Sequence, residues 1–305
     1  MSKTAFAGQK ILVTGASGFL GSHLVSRLSE SCAQVHAVSR VQRSTNNSTH
    51  WWQGDMADVA SARSLISGVR PNVIYHLAGL CRGVPDFDLV LPTTHSLLVS
   101  SINVLTAAKE AGNCRVVLAA SLTEPEPDDA YPTPGSPYAA AKWASSGYAR
   151  MFHRLYNLPV VMVRPFMTYG PAQDPSKIIP HVILSLLREE APRLASGNQH
   201  FDWIYIDDVI DGFIAAADAS DIDGRTIDLG SGVAVQIREI VARLVAMFKT
   251  PSKPLFGAIP DRPLERVRVA NIADTLARLG WQPKTSLEVG LARTVEWYSG
   301  QLLKA

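Results

Sequence analysis

Tyr138 and Lys142 stand four residues apart in the run Tyr138-Ala-Ala-Ala-Lys142. On a helix that spacing places both side chains on one face. A free tyrosine has a pKa near ~10, too high for easy proton exchange at neutral pH. A neighbouring ammonium favours the phenolate and lowers that value. The pair therefore predicts an acid/base centre that moves one proton to or from a substrate oxygen. Such a pair is common by chance, and its meaning depends on the elements around it.

Those elements begin with Thr14-Gly15-Ala16-Ser17-Gly18-Phe19-Leu20-Gly21, between the apolar run Lys10–Thr14 and a helical pattern over Phe19–Ser29. A strand, a glycine-rich turn and a helix are the context a dinucleotide needs. The glycines let backbone approach the pyrophosphate, and the helix N-terminus favours its charge. Gly15, Ser17, Gly18, Phe19, Leu20 and Gly21 are the candidate contacts, although the Gly15-x-x-Gly18-x-x-Gly21 spacing differs from the commonest form. The second strand, Gln34–Ser39, ends in Ser39-Arg40 with Arg43 following and no acid. An NAD site usually places Asp or Glu there, whereas a guanidinium suits a 2′-phosphate. NADP(H) is therefore favoured over NAD, the alternative being that Arg40 and Arg43 are solvated loop residues. Asp55, with Met56 beside it, follows a third strand and could accept from the adenine amino group or simply form a turn. Leu77, Ala78 and Gly79 end the strand over Val73–Leu77, where small residues let a cofactor lie against backbone. His76 reads as structural.

Strands at Arg115–Ala120 and Val160–Arg164 and helices at Leu97–Ala111 and Tyr138–Tyr156 continue the alternation. That rhythm predicts an α/β, Rossmann-type doubly wound parallel sheet. Beyond Gly170 it breaks. Expected there are a helix at Ile178–Arg188, a strand at Ile204–Ile206, a helix at Val209–Ala217, a strand at Thr226–Leu229 and helices at Ile237–Phe248, Ile272–Leu279 and Leu287–Tyr298. Asp207 and Asp208 fit the first turn of a helix without a catalytic role. The predicted organisation is a dinucleotide-binding domain over 1–170, with 200–232 returning to it. A smaller C-terminal α/β substrate-binding lobe takes 171–199 and 233–305, with Pro251, Pro254, Pro260 and Pro263 making part of it irregular.

The bulk composition narrows the function classes. The chain has 305 residues, 47% hydrophobic and 18% charged, enough for a large core. Its net charge of +2 gives no field pointing to nucleic acid or a membrane. Cys32, Cys81 and Cys114 form no metal-ligand or disulfide pattern, which fits a reducing cytoplasm, and all three read as small buried hydrophobes. No metal site is expected. Met1 to Lys10 holds no signal-type apolar stretch, and no run of roughly 18 apolar residues predicts a membrane span.

Taken in order, TGASGFLG (Thr14–Gly21), HLAG (His76–Gly79), Ser121, YAAAK (Tyr138–Lys142), RPFMTYGP (Arg164–Pro171), FDWIYIDDV (Phe201–Val209) and LGWQPKTSLEVGL (Leu279–Leu291) resemble the extended short-chain dehydrogenase/reductase family, its nucleotide-sugar epimerase/dehydratase/reductase group. The resemblance covers nearly the whole chain. It implies that Ser121 hydrogen-bonds the substrate oxygen, Tyr138 exchanges the proton, and Lys142 holds the nicotinamide ribose and depresses the tyrosine. It implies that Pro165 lines the nicotinamide pocket, and that Lys177, Ile178 and Arg262 grip a sugar nucleotide. A homodimer through the helices at Leu97–Ala111 and Tyr138–Tyr156 is also implied.

Three departures from the family pattern matter. Leu122-Thr123 stands where dehydrating members carry Asp-Glu, and Glu124 comes one residue late, which disfavours a 4,6-dehydratase. Phe201 replaces an Arg that contacts the diphosphate, and Met167 replaces an Asn. Arg262, Arg266, Arg268 or His200 could compensate, though Arg266 and Arg268 also fit a solvated strand face. Thr123, Met167 and Phe201 complete the candidate substrate contacts. The expected reaction is NADPH-dependent reduction of a nucleotide-linked 4-keto-6-deoxy sugar. The alternatives are an NAD(P)-dependent nucleotide-sugar 4-epimerase, a reductase of non-sugar carbonyls and a non-catalytic dinucleotide-binding protein.

Overall fold

The computed structural model describes residues 6–31, 33–46, 48–112, 114–125, 131–248, 252–262, 264 and 267–302. Cys32, Pro251, Pro263 and Arg266 lie outside them. The first half of the chain alternates strand and helix: β1 (Lys10–Thr14), α1 (Phe19–Ser29), β2 (Gln34–Ser39), β3 (Thr49–Gln53), α2 (Val59–Val69) and β4 (Val73–His76). A continuous helical run over residues 87–111 follows, containing α3 (Val90–Thr93), one π-turn at Thr94–Val99 and α4 (Ser100–Ala111). Next come β5 (Arg115–Ala119), α5 (Pro137–Tyr156) and β6 (Val160–Pro165). The rest comprises β7 (Met167–Tyr169), α6 (Ile178–Leu187), β8 (His200–Tyr205), α7 (Ile206–Asp218), β9 (Thr226–Leu229), β10 (Ala234–Gln236), α8 (Ile237–Ala246), α9 (Ile272–Leu279) and α10 (Leu287–Leu302).

Seven strands form one parallel sheet in the order β3-β2-β1-β4-β5-β6-β9. The inner strands β1, β4, β5 and β6 are buried on both faces, so their residues divide between two cores. Ile11, Val13, Tyr75, Val117 and Val163 pack with α1 and α7 on one side. Leu12, Ile74, Val116, Leu118 and Met162 pack with α2, α4 and α5 on the other. The direction of winding reverses between β1 and β4, and the crevice at their carboxyl ends is where a doubly wound sheet binds its ligand. The run over residues 87–111 is long and apolar enough by composition to cross a bilayer, yet here it packs against α2 and α5.

Of the 200–232 segment, α7 and β9 join the large sheet, but β8 does not. It pairs with β7 in parallel and with β10 antiparallel, forming a separate three-stranded sheet. The cause is local. The chain leaves the large sheet at Phe166, so β7 brings its own edge for β8 to extend. Asp208 is also more than a helix-dipole residue. It is buried, and its two carboxylate oxygens accept the N–H groups of Lys284 and Thr285, tying the closing segment to the start of α7.

Candidate functional site

The glycine turn after β1 is shaped by steric need. Gly15 has φ +67°, and a Cβ there would lie 2.6 Å from the backbone nitrogen of Ala78. A Cβ on Gly21 would fall inside contact distance of the Gly15 carbonyl. Gly18 is the N-cap of α1 with extended backbone and no side chain capping the helix. The first N–H groups of α1 are thus left for an anion, and exposed Ser17 and Gly18 with half-buried Phe19 and Leu20 border them. A pyrophosphate fits here because glycine at both positions lets the turn pack tightly against α1 and the end of β4, where any side chain would collide with backbone.

At the far end of the crevice Ser39 is buried, its Oγ accepting from Val41 N at 3.2 Å and lying 3.4 Å from Ser17 Oγ. Arg40 and Arg43 are exposed beside it, and the Arg43 guanidinium lies 5.2 Å from the centre of the Trp51 ring. Asp55 is exposed, and its Oδ1 accepts from Ala57 N at 2.9 Å, the bond of a turn-forming aspartate. Met56, predicted beside it, belongs to the core under β2 and α2, with only 3% of its surface exposed. Its side chain is therefore corrected from cofactor contact to packing. Leu77 and Ala78 are half-buried at the end of β4, and Ala78 N approaches Thr14 Oγ1 at 3.4 Å. Gly79, at φ +148°, leaves room for Leu97 where a Cβ would collide. Half-buried Pro165 ends β6.

His76 sits beneath this crevice, bonded to Thr14 Oγ1 at 2.7 Å and to Ser100 Oγ at 3.3 Å. Burial, and then the charge of Lys142, push its pKa down to about 3, so it is a neutral structural bridge between β1, β4 and α4.

The proton-transfer candidates meet where β5 ends and α5 begins. Ser136 caps α5 by accepting from Ala139 N at 3.2 Å, and Pro137 opens the helix, placing Tyr138 in its first turn. Ser121 follows β5, is buried, and shares a 2.9 Å hydrogen bond with Thr123 Oγ1. Its hydroxyl reaches the phenol of Tyr138. Gly83 covers the tyrosine ring, where a Cβ would stand 3.8 Å from Cδ1. Lys142, one turn along, is 6% exposed, and its Nζ donates to Ala119 O at 2.6 Å.

One electrostatic expectation is reversed. Burial pushes the Tyr138 phenol above its ordinary pKa; the Cys81 thiol and the Glu124 carboxylate push it the same way, and the Ser121 hydroxyl opposes them. Lys142 spends its proton on the Ala119 carbonyl, and burial pushes its own pKa down. The pair is held as a neutral phenol beside a desolvated ammonium, which is a proton donor waiting for charge to develop.

The substrate candidates divide. Thr123 is exposed beside Ser121. Lys177 is the N-cap of α6 and donates from Nζ to Cys81 O at 3.1 Å, closing the 81–83 loop against that helix. Ile178 and Met167 are half-buried and pack on the core, Met167 in register with Trp203 across β7 and β8. Phe201 is corrected. It is 7% exposed and packs edge-on against Trp203 at 6.0 Å, so its ring belongs to the lobe's core. Arg262 is exposed next to Asp261, whose carboxylate accepts from Ser196 and Gln199. Arg268 is not a solvated residue. It is half-buried, and Nη1 donates to Leu122 O at 3.0 Å and Glu124 O at 2.8 Å. Cys81 is exposed at the site, and Cys114 is a buried hydrophobe as expected, burial pushing its thiol up to about 12.

Sequence reasoning missed Cys81 as a neighbour of the tyrosine, and it set Glu124 aside. Glu124 is buried, with Oε1 accepting from Ser121 N at 2.7 Å. Its position three residues after Ser121 was the available signal.

The profile of the NAD dependent epimerase/dehydratase family matches residues 11–230. A UDP-glucose 4-epimerase of Mycolicibacterium smegmatis is 32% identical over 95% of this chain and 98% of its own. A dTDP-D-glucose 4,6-dehydratase of Mus musculus is 26% identical over 95% and 88%. The solved UDP-glucuronic acid 4-epimerase of Bacillus cereus, in complex with UDP-glucuronic acid and NAD, superposes with a TM-score of 0.86 at 25% identity, covering 96% of this chain and 99% of that one. The chain belongs to the NAD dependent epimerase/dehydratase family, the extended short-chain dehydrogenase/reductase group of NAD(P)-dependent enzymes.

Proposed function

We propose that this enzyme epimerises a UDP-linked sugar at the 4-carbon. The observation that carries the reading is the meeting of Ser121, Tyr138 and Lys142 at the crevice, with Leu122-Thr123 directly after Ser121 in place of an acidic pair. The similarity to 4-epimerases of UDP-sugars supplies the substrate class. The bound nicotinamide supplies hydride chemistry. Gly15, Gly18 and Gly21 would hold its pyrophosphate, and Lys142 its ribose. Ser121 and Tyr138 hold the sugar oxygen between two hydroxyls, and Tyr138 takes its proton and later returns it. Elimination of water needs a further acid and base. Leu122 offers neither, Thr123 offers only a hydroxyl, and the Glu124 carboxylate is bonded to Ser121 N–H. The 4-epimerase is therefore supported over the dehydratase.

The second reading is reduction of a nucleotide-linked 4-keto-6-deoxy sugar by NADPH. Ser39, Arg40 and Arg43, with no acid at the end of β2, support NADP(H) in the cofactor site. One experiment separates the two. Purified enzyme is given UDP-glucose, UDP-glucuronic acid and 4-keto-6-deoxy sugar nucleotides, and cofactor absorbance is recorded beside product. Isomer exchange without net cofactor consumption is expected. Stoichiometric NADPH oxidation with a keto sugar and no isomer exchange overturns the epimerase reading.

We also propose a homodimer through the outer face of α3, α4 and α5. Phe87, Leu91, Trp143, Tyr148 and Leu155 are exposed there, and an apolar groove runs between residues 85–98 and 134–144. A monomer in sedimentation at micromolar concentration refutes it.

A further inference from the structure

Residues 121–124 form a turn latched twice. Glu124 N donates to Ser121 O at 3.2 Å, and Ser121 N donates to Glu124 Oε1 at 2.7 Å. Arg268 grips the same turn from outside through the carbonyls of Leu122 and Glu124. A neutral side chain could close such a turn, so a carboxyl group 6% exposed at this point needs another reason. The groups facing it give one. From α5 come Lys142, Tyr138 and Ser146, and from β6 comes Arg164, whose Nε is shared with Asp228 Oδ1 at 2.7 Å. Burial raises the Glu124 pKa, and the Ser121 N–H, the buried Ser146 hydroxyl and the charges of Lys142 and Arg164 oppose that rise.

We propose that Glu124 is a positioning residue of this site: its ionised carboxylate fixes Ser121 through the backbone N–H and serves as the buried counter-charge of Lys142. The proposal rests on the reading of Ser121, Tyr138 and Lys142 as the proton-transfer group. Its electrostatic consequence has a definite sign. The negative charge raises the pKa of both Lys142 and Tyr138. Removing it while keeping an acceptor must let Tyr138 lose its proton at lower pH, and must let Lys142 discharge at lower pH as well. A carboxylate with a purely structural role would leave both titrations where they are.

Glu124→Gln and Glu124→Asp test this. The glutamine keeps an oxygen for Ser121 N–H and loses the charge. The aspartate keeps the charge and is too short for the same bond. Tyr138 is titrated by its phenolate absorbance, each variant being subtracted from its Tyr138→Phe counterpart, with and without NAD(P)⁺. Glu124→Gln is expected to shift the Tyr138 midpoint to lower pH by about one unit. It should lower kcat about tenfold or more and change the cofactor Kd by less than about threefold. Glu124→Asp is expected to leave the midpoint in place while kcat falls. A wild-type midpoint and kcat in Glu124→Gln overturns the proposal. If the glutamine variant does not fold, a Glu124→Asp enzyme with wild-type kcat overturns it instead. Retained turnover in Tyr138→Phe alone defeats the underlying reading of the site, so the two failures are told apart.

Discussion

Replacing Asp202 by asparagine removes one charge and almost no volume from the joint between the two sheets. Asp202 lies on β8 and is 1% exposed. Its Oδ1 accepts from Ser231 N and Ser231 Oγ, both at 2.6 Å. Its Oδ2 accepts from Gly232 N and Ala270 N, both at 3.0 Å. An asparagine amide can be placed in two ways. With its NH₂ toward Gly232 and Ala270, two backbone donors face a donor. With its NH₂ toward Ser231, the hydroxyl turns to accept and one N–H is stranded, which is the cheaper choice. A stranded buried donor costs about 1–3 kcal/mol, and three bonds falling from charge-assisted to neutral strength lose about 0.5–1 kcal/mol each. The sum is about 2.5–6 kcal/mol, a large share of a typical domain's stability. Relief from burying a charge acts in the other direction, but four donors already offset that burial. Urea unfolding followed by tryptophan fluorescence reads the difference, with an unchanged m-value. Because Ala270 lies two residues beyond Arg268, kcat should fall as well while cofactor affinity holds. A stability change below about 1 kcal/mol would refute the reasoning and show that the turn at Gly230–Gly232 holds itself.

Tyr138→Phe should cut turnover by roughly 10²-fold or more, since ring packing survives but the proton carrier does not, with NAD(P)⁺ binding by fluorescence quenching unchanged. Arg40→Ala with Arg43→Ala should weaken NADP⁺ at least tenfold in calorimetric titration and leave NAD⁺ within about twofold; equal losses for both would remove the 2′-phosphate contact. His76 gives a pH signature. Its folded pKa of about 3 lies below the ordinary 6.5, so between those values the unfolded chain binds a proton that the folded chain does not. Stability must therefore fall as pH falls through that window, by at most about 1.4 kcal/mol per unit. His76→Gln should flatten that slope in urea midpoints measured across the window, and an unaltered slope would locate the acid sensitivity elsewhere.

The parts of the fold that sequence revealed are those with local causes. The bounds of α1, β2, β9 and α9 agree with the pattern, because each ends at glycine, an N-cap or a loss of apolar alternation. The glycine turn was legible for the same reason: Gly15 and Gly21 answer to sterics within a few residues and to one neighbouring strand end. Helix α2 went unread although Asp58 caps it, accepting from Ser61 N, and Ala62, Leu65, Ile66 and Val69 form its buried stripe. Strands β7 and β10, three residues each, carry no period to detect. Phe201 and Met56 failed for a different cause. Which face of a short strand or turn meets the crevice is settled by its partners, here Trp203 for one and the packing of β2 and α2 for the other.

The same division explains the reversed tyrosine. Helical periodicity does place Tyr138 and Lys142 on one face, as their spacing requires. Proximity, however, does not decide where an ammonium directs its proton. Strand β5 ends with a carbonyl, Ala119 O, facing the helix, and Lys142 Nζ donates to it at 2.6 Å. The phenol is then governed by what surrounds it in space: burial, the exposed thiol of Cys81 on a loop after β4, and the carboxylate of Glu124 on a loop after β5. All of these favour the protonated form. A five-residue motif can fix the distance between an acid and its partner, but the charges that set its pKa arrive from segments more than ten residues away, and only the fold assembles them.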